Sequence, residues 1–221
     1  MHINSVLIFK SHALRYFFNE ANVLEIGPFG YPSFYAKAIS KKFEVKWHSL
    51  DISESYIEGG EANPFHIVSK HEYEYPIEDE TFDVVVAGNV IEHVKKPWQW
   101  LKELKRITKK DGKVIIVNPI SWPYHEAPVD CWRIYPEGMN ALAEELNMTL
   151  LESTYESLEI ELLPSKVATI PGHSILDANG KVRPNYKIPV FLSNALGYFP
   201  KINKLVRIPV AYDCISILQK V

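Results

Sequence analysis

Residues 81–89 read TFDVVVAGN, and the unbroken apolar run inside them decides what kind of fold to expect. A strand with one wet face alternates apolar and polar residues, whereas a strand covered by helices on both faces has no reason to. The run is β-branched, as a pleated surface favours, and Gly88-Asn89 closes it with a turn signal. Outward from it the same pattern recurs in NVLEIG (22–27) and KVIIVNP (113–119). EVKWHSLD (44–51) alternates instead, and FHIVS (65–69) is short. Helical stretches fall between these strands. FYAKAISKK follows the first, and PWQWLKELKRITKK opens on Pro97, a good first helical residue. It lines up Trp100 or Leu101 with Leu104 and Ile107, and Lys109, Lys110, Asp111 and Gly112 read as its C-terminal stop. PEGMNALAEELN sets Met139, Leu142, Ala143 and Leu146 on one stripe.

Two late strands, MTLLESTYES and AYDCISILQKV (211–221), have no clear helical period between them. The pattern predicts an α/β fold: a Rossmann-like open, mostly parallel sheet, helices on both faces, and an antiparallel strand pair at one edge. At 221 residues the chain suits one domain, 1–221. Residues 158–205, proline-broken and without a clear period, are expected to form an irregular insertion or lid. The glycine-rich stretch 52–64 predicts an abbreviated crossover.

Composition narrows the partners. Net charge is −3, which gives no electrostatic reason for an obligatory nucleic-acid partner. Lysines cluster between Lys95 and Lys110, where a solvated helix face is the simpler reading than a basic patch. Cys131 and Cys214 match no zinc or redox spacing, so a reducing cytoplasm is the expectation. No apolar run approaches the roughly 18 residues of a membrane span.

In sheets of this type ligands bind beyond the carboxyl ends of the strands. Those ends carry Glu25 with Gly27 and Gly30; then Asp51 with Ile52; then His71 and Glu72; then Gly88-Asn89. An acid closing the second strand suits a ribose diol. Taken alone, a strand-end aspartate is more often a cap or turn residue, and it is the ordered set that points to a nucleoside. A pyrophosphate would be poorly served by a carboxylate two residues before the first glycine. A ligand with a cationic end would be well served by it.

The segments VLEIG (23–27), Asp51 and YPIEDETFDVVVAGNVIEHV (75–94) resemble the class I S-adenosylmethionine-dependent methyltransferases, in particular the methyltransferase type 11 group. The resemblance covers roughly residues 20–157 and the last strand. It implies S-adenosylmethionine as cofactor, with its methionine end at Glu25, Gly27, Phe29 and Gly30 and its ribose at Asp51 and Ile52. It further implies His71 and Glu72 beside the adenine, and Asn89 beside the amino-acid moiety. Phe29 stands where the family usually has another glycine, so the first turn must differ locally.

The stretch NPISWPYHEAPVDCWRIYPEG (118–138) is rich in groups a structural loop does not need. His125 is the candidate general base for a hydroxyl acceptor, with Asp130 to orient it or bind the acceptor and Arg133 to hold an anionic group. Trp122, Tyr124 and Trp132 offer flat surfaces for a ring; the alternative is that His125 caps a turn and Trp132 packs the core. Some relatives carry a Glu-His pair after the fourth strand that binds a divalent metal. Glu92 and His93 with His125 make such a metal open here but not favoured. The loop resembles those of methyltransferases found among glycan-assembly enzymes. The expected function is therefore O-methylation of a sugar, glycan or similar small acceptor. A methyltransferase for another small molecule or an RNA 2′-hydroxyl, a non-catalytic cofactor- or protein-binding module, and a nicotinamide oxidoreductase are the alternatives. Oligomeric state is left open.

Overall fold

The computed structural model describes residues 2–28, 30–52, 63–126, 128–199, 202 and 205–221. Phe29 and most of the crossover after Ile52 lie outside those residues. Seven strands form the main sheet: β1 (Asn22–Ile26), β2 (Lys46–Asp51), β3 (His66–Val68), β4 (Phe82–Gly88), β5 (Thr108–Pro119), β6 (Met148–Glu156) and β9 (Asp213–Lys220). Their order is β3-β2-β1-β4-β5-β9-β6. β3, β2, β1, β4 and β5 run parallel, and β9 is antiparallel to both β5 and β6. The late strands thus pair with each other at one edge, and the last one slots inward of β6.

Period-2 alternation splits the sheet's side chains between two cores. Leu24, Ile26, Val85, Ala87, Val114 and Ile116 meet Trp100, Leu101, Leu104 and Ile107 of α3 (Pro97–Ile107) and Met139 and Ala143 of α4 (Pro136–Glu145). On the other face Val23, Val84, Val86, Ile115 and Val117 meet Ile8 and Phe9 of α1 (Ile3–His12) and Tyr35, Ala36 and Ile39 of α2 (Phe34–Ile39). Both faces of β4 are buried, which is why its sequence does not alternate.

One boundary differs from the reading above. α3 stops at Ile107, and β5 starts at the next residue. The Thr108 hydroxyl donates back to the Leu104 carbonyl (2.7 Å), closing the last helical turn without a glycine. Gly112 sits within a strand irregularity instead, where a Cβ would lie 2.8 Å from the Lys109 carbonyl oxygen.

Residues 158–205 are more regular than their composition suggests. β7 (Ala168–Pro171) pairs in parallel with β8 (Arg207–Val210), and α5 (Lys187–Leu196) lies between them in sequence. Leu163, Ile175, Leu176, Val190, Ile208 and Val210 form a third apolar cluster.

Candidate active site

A cavity of about 400 Å³ opens at the carboxyl ends of β1, β2 and β4, within the range of small-molecule sites. Its walls arise from local backbone demands. Gly27 ends β1 at φ +61, with its N–H donating to the Leu50 carbonyl (2.8 Å), and a Cβ there would press to 2.9 Å from Val90 Cγ2. Asn89, also left-handed at φ 58, ends β4 with its N–H on the Val117 carbonyl (2.8 Å). Its buried Oδ1 has no hydrogen-bond partner among the described residues, so an acceptor is held ready at the cavity wall. Asp51, Ile52 and Glu72 complete the polar side.

The apolar side is built by Tyr75, Val90, Val94 and Trp100, which the sequence reading did not single out as site residues. Trp100 donates to the Tyr75 hydroxyl (2.7 Å), locking both rings. Trp100 did carry a signal, but its helical spacing marked it as core, and it serves both purposes.

Glu25 does not line this cavity. Strand alternation sends it to the opposite face with Val23, where its carboxylate accepts from Ser33 Oγ (2.6 Å) and Trp47 Nε1 (2.9 Å). The expectation that Glu25 faces the ligand is corrected accordingly: it braces the turn from beneath, through the N-cap serine of α2. Burial raises its pKa to about 7, against the pull of those two hydrogen bonds. Gly30 is required by its φ of +80, not by crowding, since no atom of the described residues beyond its chain neighbours lies within 4 Å of a Cβ placed there. His71 is exposed and lines a separate open groove with Tyr73, Gln99 and Arg106; only its neighbour Glu72 reaches the cavity.

His125 and His93 enter from the other side, their rings 5.0 Å apart and nearly perpendicular. Asp130 holds His125 by accepting its backbone N–H (2.9 Å) and lying 3.3 Å from Nδ1. Arg133 grips Asp130 with both terminal nitrogens, at 2.5 and 2.7 Å. That grip, with the His125 N–H, holds the Asp130 carboxyl down at about 2. The remaining bonds of Arg133 go to the Trp122 and Trp132 carbonyls. Its guanidinium is therefore committed to the loop, and the expectation that it binds an anionic substrate group is not supported by its contacts. Trp122 stacks on His2 (4.4 Å), while Tyr124 is 72% exposed and Trp132 37% exposed.

Glu92 lies wholly buried beneath the two histidines; neither carboxylate oxygen is hydrogen-bonded among the described residues, and Oε1 lies 3.8 Å from His93 Nε2. Desolvation raises its pKa to about 8. One donor atom from each of Glu92, His93 and His125 falls within 4.8 Å of the others. The Val129 carbonyl binds His93 Nδ1 (2.5 Å), which leaves Nε2 as the lone-pair nitrogen.

Residues 24–116 match the family described as "Methyltransferase domain". The demethylmenaquinone methyltransferase of Bacillus pumilus is 29% identical over 131 residues, covering 52% of this chain and 56% of that protein. An uncharacterized protein of Methanocaldococcus jannaschii is 30% identical over 77 residues, covering 35% of this chain and 37% of its own length. These curated relatives are matched over about half their length or less. Among solved structures, a Haloferax volcanii methyltransferase in complex with the Trm112 activator superposes with a TM-score of 0.63 at 11% identity, covering 99% of this chain and 90% of that one. An S-adenosylmethionine-dependent methyltransferase from Archaeoglobus fulgidus gives 0.56 at 20% identity, covering 97% and 94%. The strand order and the superpositions agree that the chain has the fold of the class I S-adenosylmethionine-dependent methyltransferases, and its residues 24–116 are similar to the methyltransferase domain family.

Proposed function

We propose that the protein is an S-adenosylmethionine-dependent O-methyltransferase acting on a hydroxyl of a sugar, glycan or similar small acceptor, with His125 as general base. The observation that carries this reading is that His125, backed by an ionised Asp130, opens into the same cavity as Asp51 and Asn89. The donor set fits the cofactor: Asp51 suits a ribose diol, the unpartnered Asn89 Oδ1 suits an ammonium group, and Gly27 leaves room for a close backbone approach. When bound, the cofactor supplies an electrophilic methyl group. The chain's own task is to position the acceptor oxygen in line with it and to remove the hydroxyl proton as the oxygen commits. His125 takes that proton, and its ring is oriented by the Pro123 carbonyl, which accepts from Nδ1 (3.2 Å), with the Asp130 carboxylate alongside. Tyr75, Val94 and Trp100 keep water from the apolar wall.

The test measures methyl transfer to a panel of sugar and phenolic hydroxyls. His125→Ala is expected to lower turnover by about 10²–10⁴-fold while cofactor affinity stays within a few-fold of wild type. Turnover unchanged in that variant removes His125 from the mechanism. Full-length protein that binds cofactor and methylates none of the acceptors favours the non-catalytic module.

A second reading adds a divalent cation at Glu92, His93 and His125. It is favoured by the buried Glu92 carboxylate, which has no hydrogen bond among the described residues and lies 3.8 Å from His93 Nε2, and by the His93 tautomer that Val129 selects. There a cation would lower the pKa of an acceptor hydroxyl. Calorimetric titration of Mn²⁺ distinguishes the two: binding lost in Glu92→Gln supports the site, and no heat with the wild type dismisses it.

A further inference from the structure

α5 is an amphipathic helix docked the wrong way round for a soluble domain. It packs inward through Val190 and Ser193; Val190 joins the third apolar cluster, and the Ser193 hydroxyl bonds the Ala168 N–H and the Val206 carbonyl. Ile188, Phe191, Leu192 and Ala195, spaced i, i+3, i+4, i+7, form its apolar stripe, and every one of them is exposed. Ile188 is 72% exposed and Phe191 69%. The chain beyond the helix continues in kind, with Tyr198, Phe199 and Leu205 at 65%, 59% and 75%. Scattered apolar residues on a surface need no explanation, but a full helical stripe followed by two adjacent aromatics does.

The charge around the stripe says what covers it. Between Asp177 and Asp213 there is no acidic residue, while Lys181, Arg183, Lys187, Lys201, Lys204 and Arg207 give six cations, in a chain whose net charge is −3. Lys181, Arg183, Lys187 and Arg207 are exposed, and the Lys166 ammonium sits 3.2 Å from the Tyr198 ring centroid. Apolar and aromatic side chains in a stretch of sequence whose charged residues are all cations match the two layers of an anionic bilayer surface, acyl chains below and acidic headgroups above. No helix of the described residues is long and apolar enough to cross a membrane, so the contact is peripheral.

We propose that α5 and the segment after it dock the protein on anionic lipid bilayers, burying Ile188, Phe191, Leu192, Tyr198 and Phe199 at the interface. The inference is independent of the methyl acceptor, because none of these residues lines the cavity.

Co-sedimentation with vesicles tests it, comparing phosphatidylcholine alone with phosphatidylcholine containing about one-third phosphatidylserine. Wild type is expected to bind the mixed vesicles at least tenfold more tightly, less so in high salt. Ile188→Glu with Phe191→Glu abolishes binding to both compositions. Lys181→Glu with Arg183→Glu and Lys187→Glu removes the anionic preference, by roughly fivefold per cation. Far-UV dichroism and thermal melts establish that the variants are folded. In Phe191→Trp, fluorescence quenching by brominated acyl chains places residue 191 below the headgroups. Three results overturn the proposal: no vesicle binding by wild type, equal binding to both compositions, or binding that survives Ile188→Glu with Phe191→Glu. A concentration-dependent dimer lost in the same double variant, without lipid binding, assigns the stripe to a second copy instead.

Discussion

Glu25 shows how one residue can be legible and misassigned at once. Its position before Gly27 pointed to the strand end where the cavity opens, but the residue's own side chain goes to the far face, because Ile26 takes the near one. The burial that hides it has a thermodynamic consequence. Unfolded, a glutamate titrates near 4.5; in the native state Glu25 titrates at about 7, because desolvation outweighs the Ser33 and Trp47 hydrogen bonds. Between those values the folded chain holds a proton that the unfolded chain has lost, so stability falls as pH rises from 4.5 through 7. Glu25→Gln keeps an acceptor for both donors and has nothing to ionise. It is expected to flatten that slope and to be the more stable protein at pH 8, by an amount on the order of 3 kcal/mol at most. Urea melts of both proteins at pH 5 and pH 8 read the difference directly, and parallel slopes for the two would show that Glu25 is ionised throughout. His125, Asp51 and Asn89, which line one cavity, stood out in the sequence because each closes a strand or stands in a loop with chemistry to spare. Trp100 was passed over because its place on a helical stripe explained it completely, and Tyr75 because it carried no signal beyond the family segment it opens.

At the scale of elements, the strands were readable because double-sided burial removes alternation, and the helices because single-sided burial imposes a stripe. α1 escaped both rules. It buries Asn4 and Ser5 beside Val6, Ile8 and Phe9, so its apolar residues make no stripe. Asn4 is buried because it is a bracket. Its amide donates to the Glu156 carbonyl (3.0 Å) and to Asp213 (2.7 Å), and its oxygen accepts from the Leu158 N–H (2.8 Å). Partners more than 150 residues away leave no local signature. Asn4→Ala strands these groups without solvent and is expected to cost about 2–4 kcal/mol in urea unfolding. A loss below 1 kcal/mol would mean that water replaces the amide. At the end of β4, a Cβ on Gly88 would meet the buried Tyr35 ring at 2.3 Å. Gly88→Ala must displace that ring or the turn carrying Asn89. A destabilisation of about 1–3 kcal/mol with weakened cofactor binding is the expected result.

Across the whole molecule the site joins regions that the sequence keeps apart. Gly27, Asp51 and Asn89 come from three strand ends, and His125 with Pro128 from the loop after β5, yet all line one cavity. The strand ends are fixed by the sheet and were legible through it. The loop's arrangement depends on Arg133 clamping Asp130 and on His2 stacking against Trp122, which only the folded chain reveals. A ligand bound to the native cavity and not to the unfolded chain must raise the stability of the whole domain. At a hundred times its dissociation constant the gain is about 2.7 kcal/mol, or roughly 5–10 °C in the melting temperature of a chain this long. S-adenosylhomocysteine is therefore expected to shift the wild-type melt by that amount. Asp51→Ala should lose most of the shift, because its side chain is the acid proposed for the ribose diol. His125→Ala should retain it, because the proposed general base belongs to the acceptor side. A shift lost in both would mean that the histidine side of the cavity holds the cofactor as well, and the separation of cofactor and acceptor sites along the sheet edge would have to be redrawn.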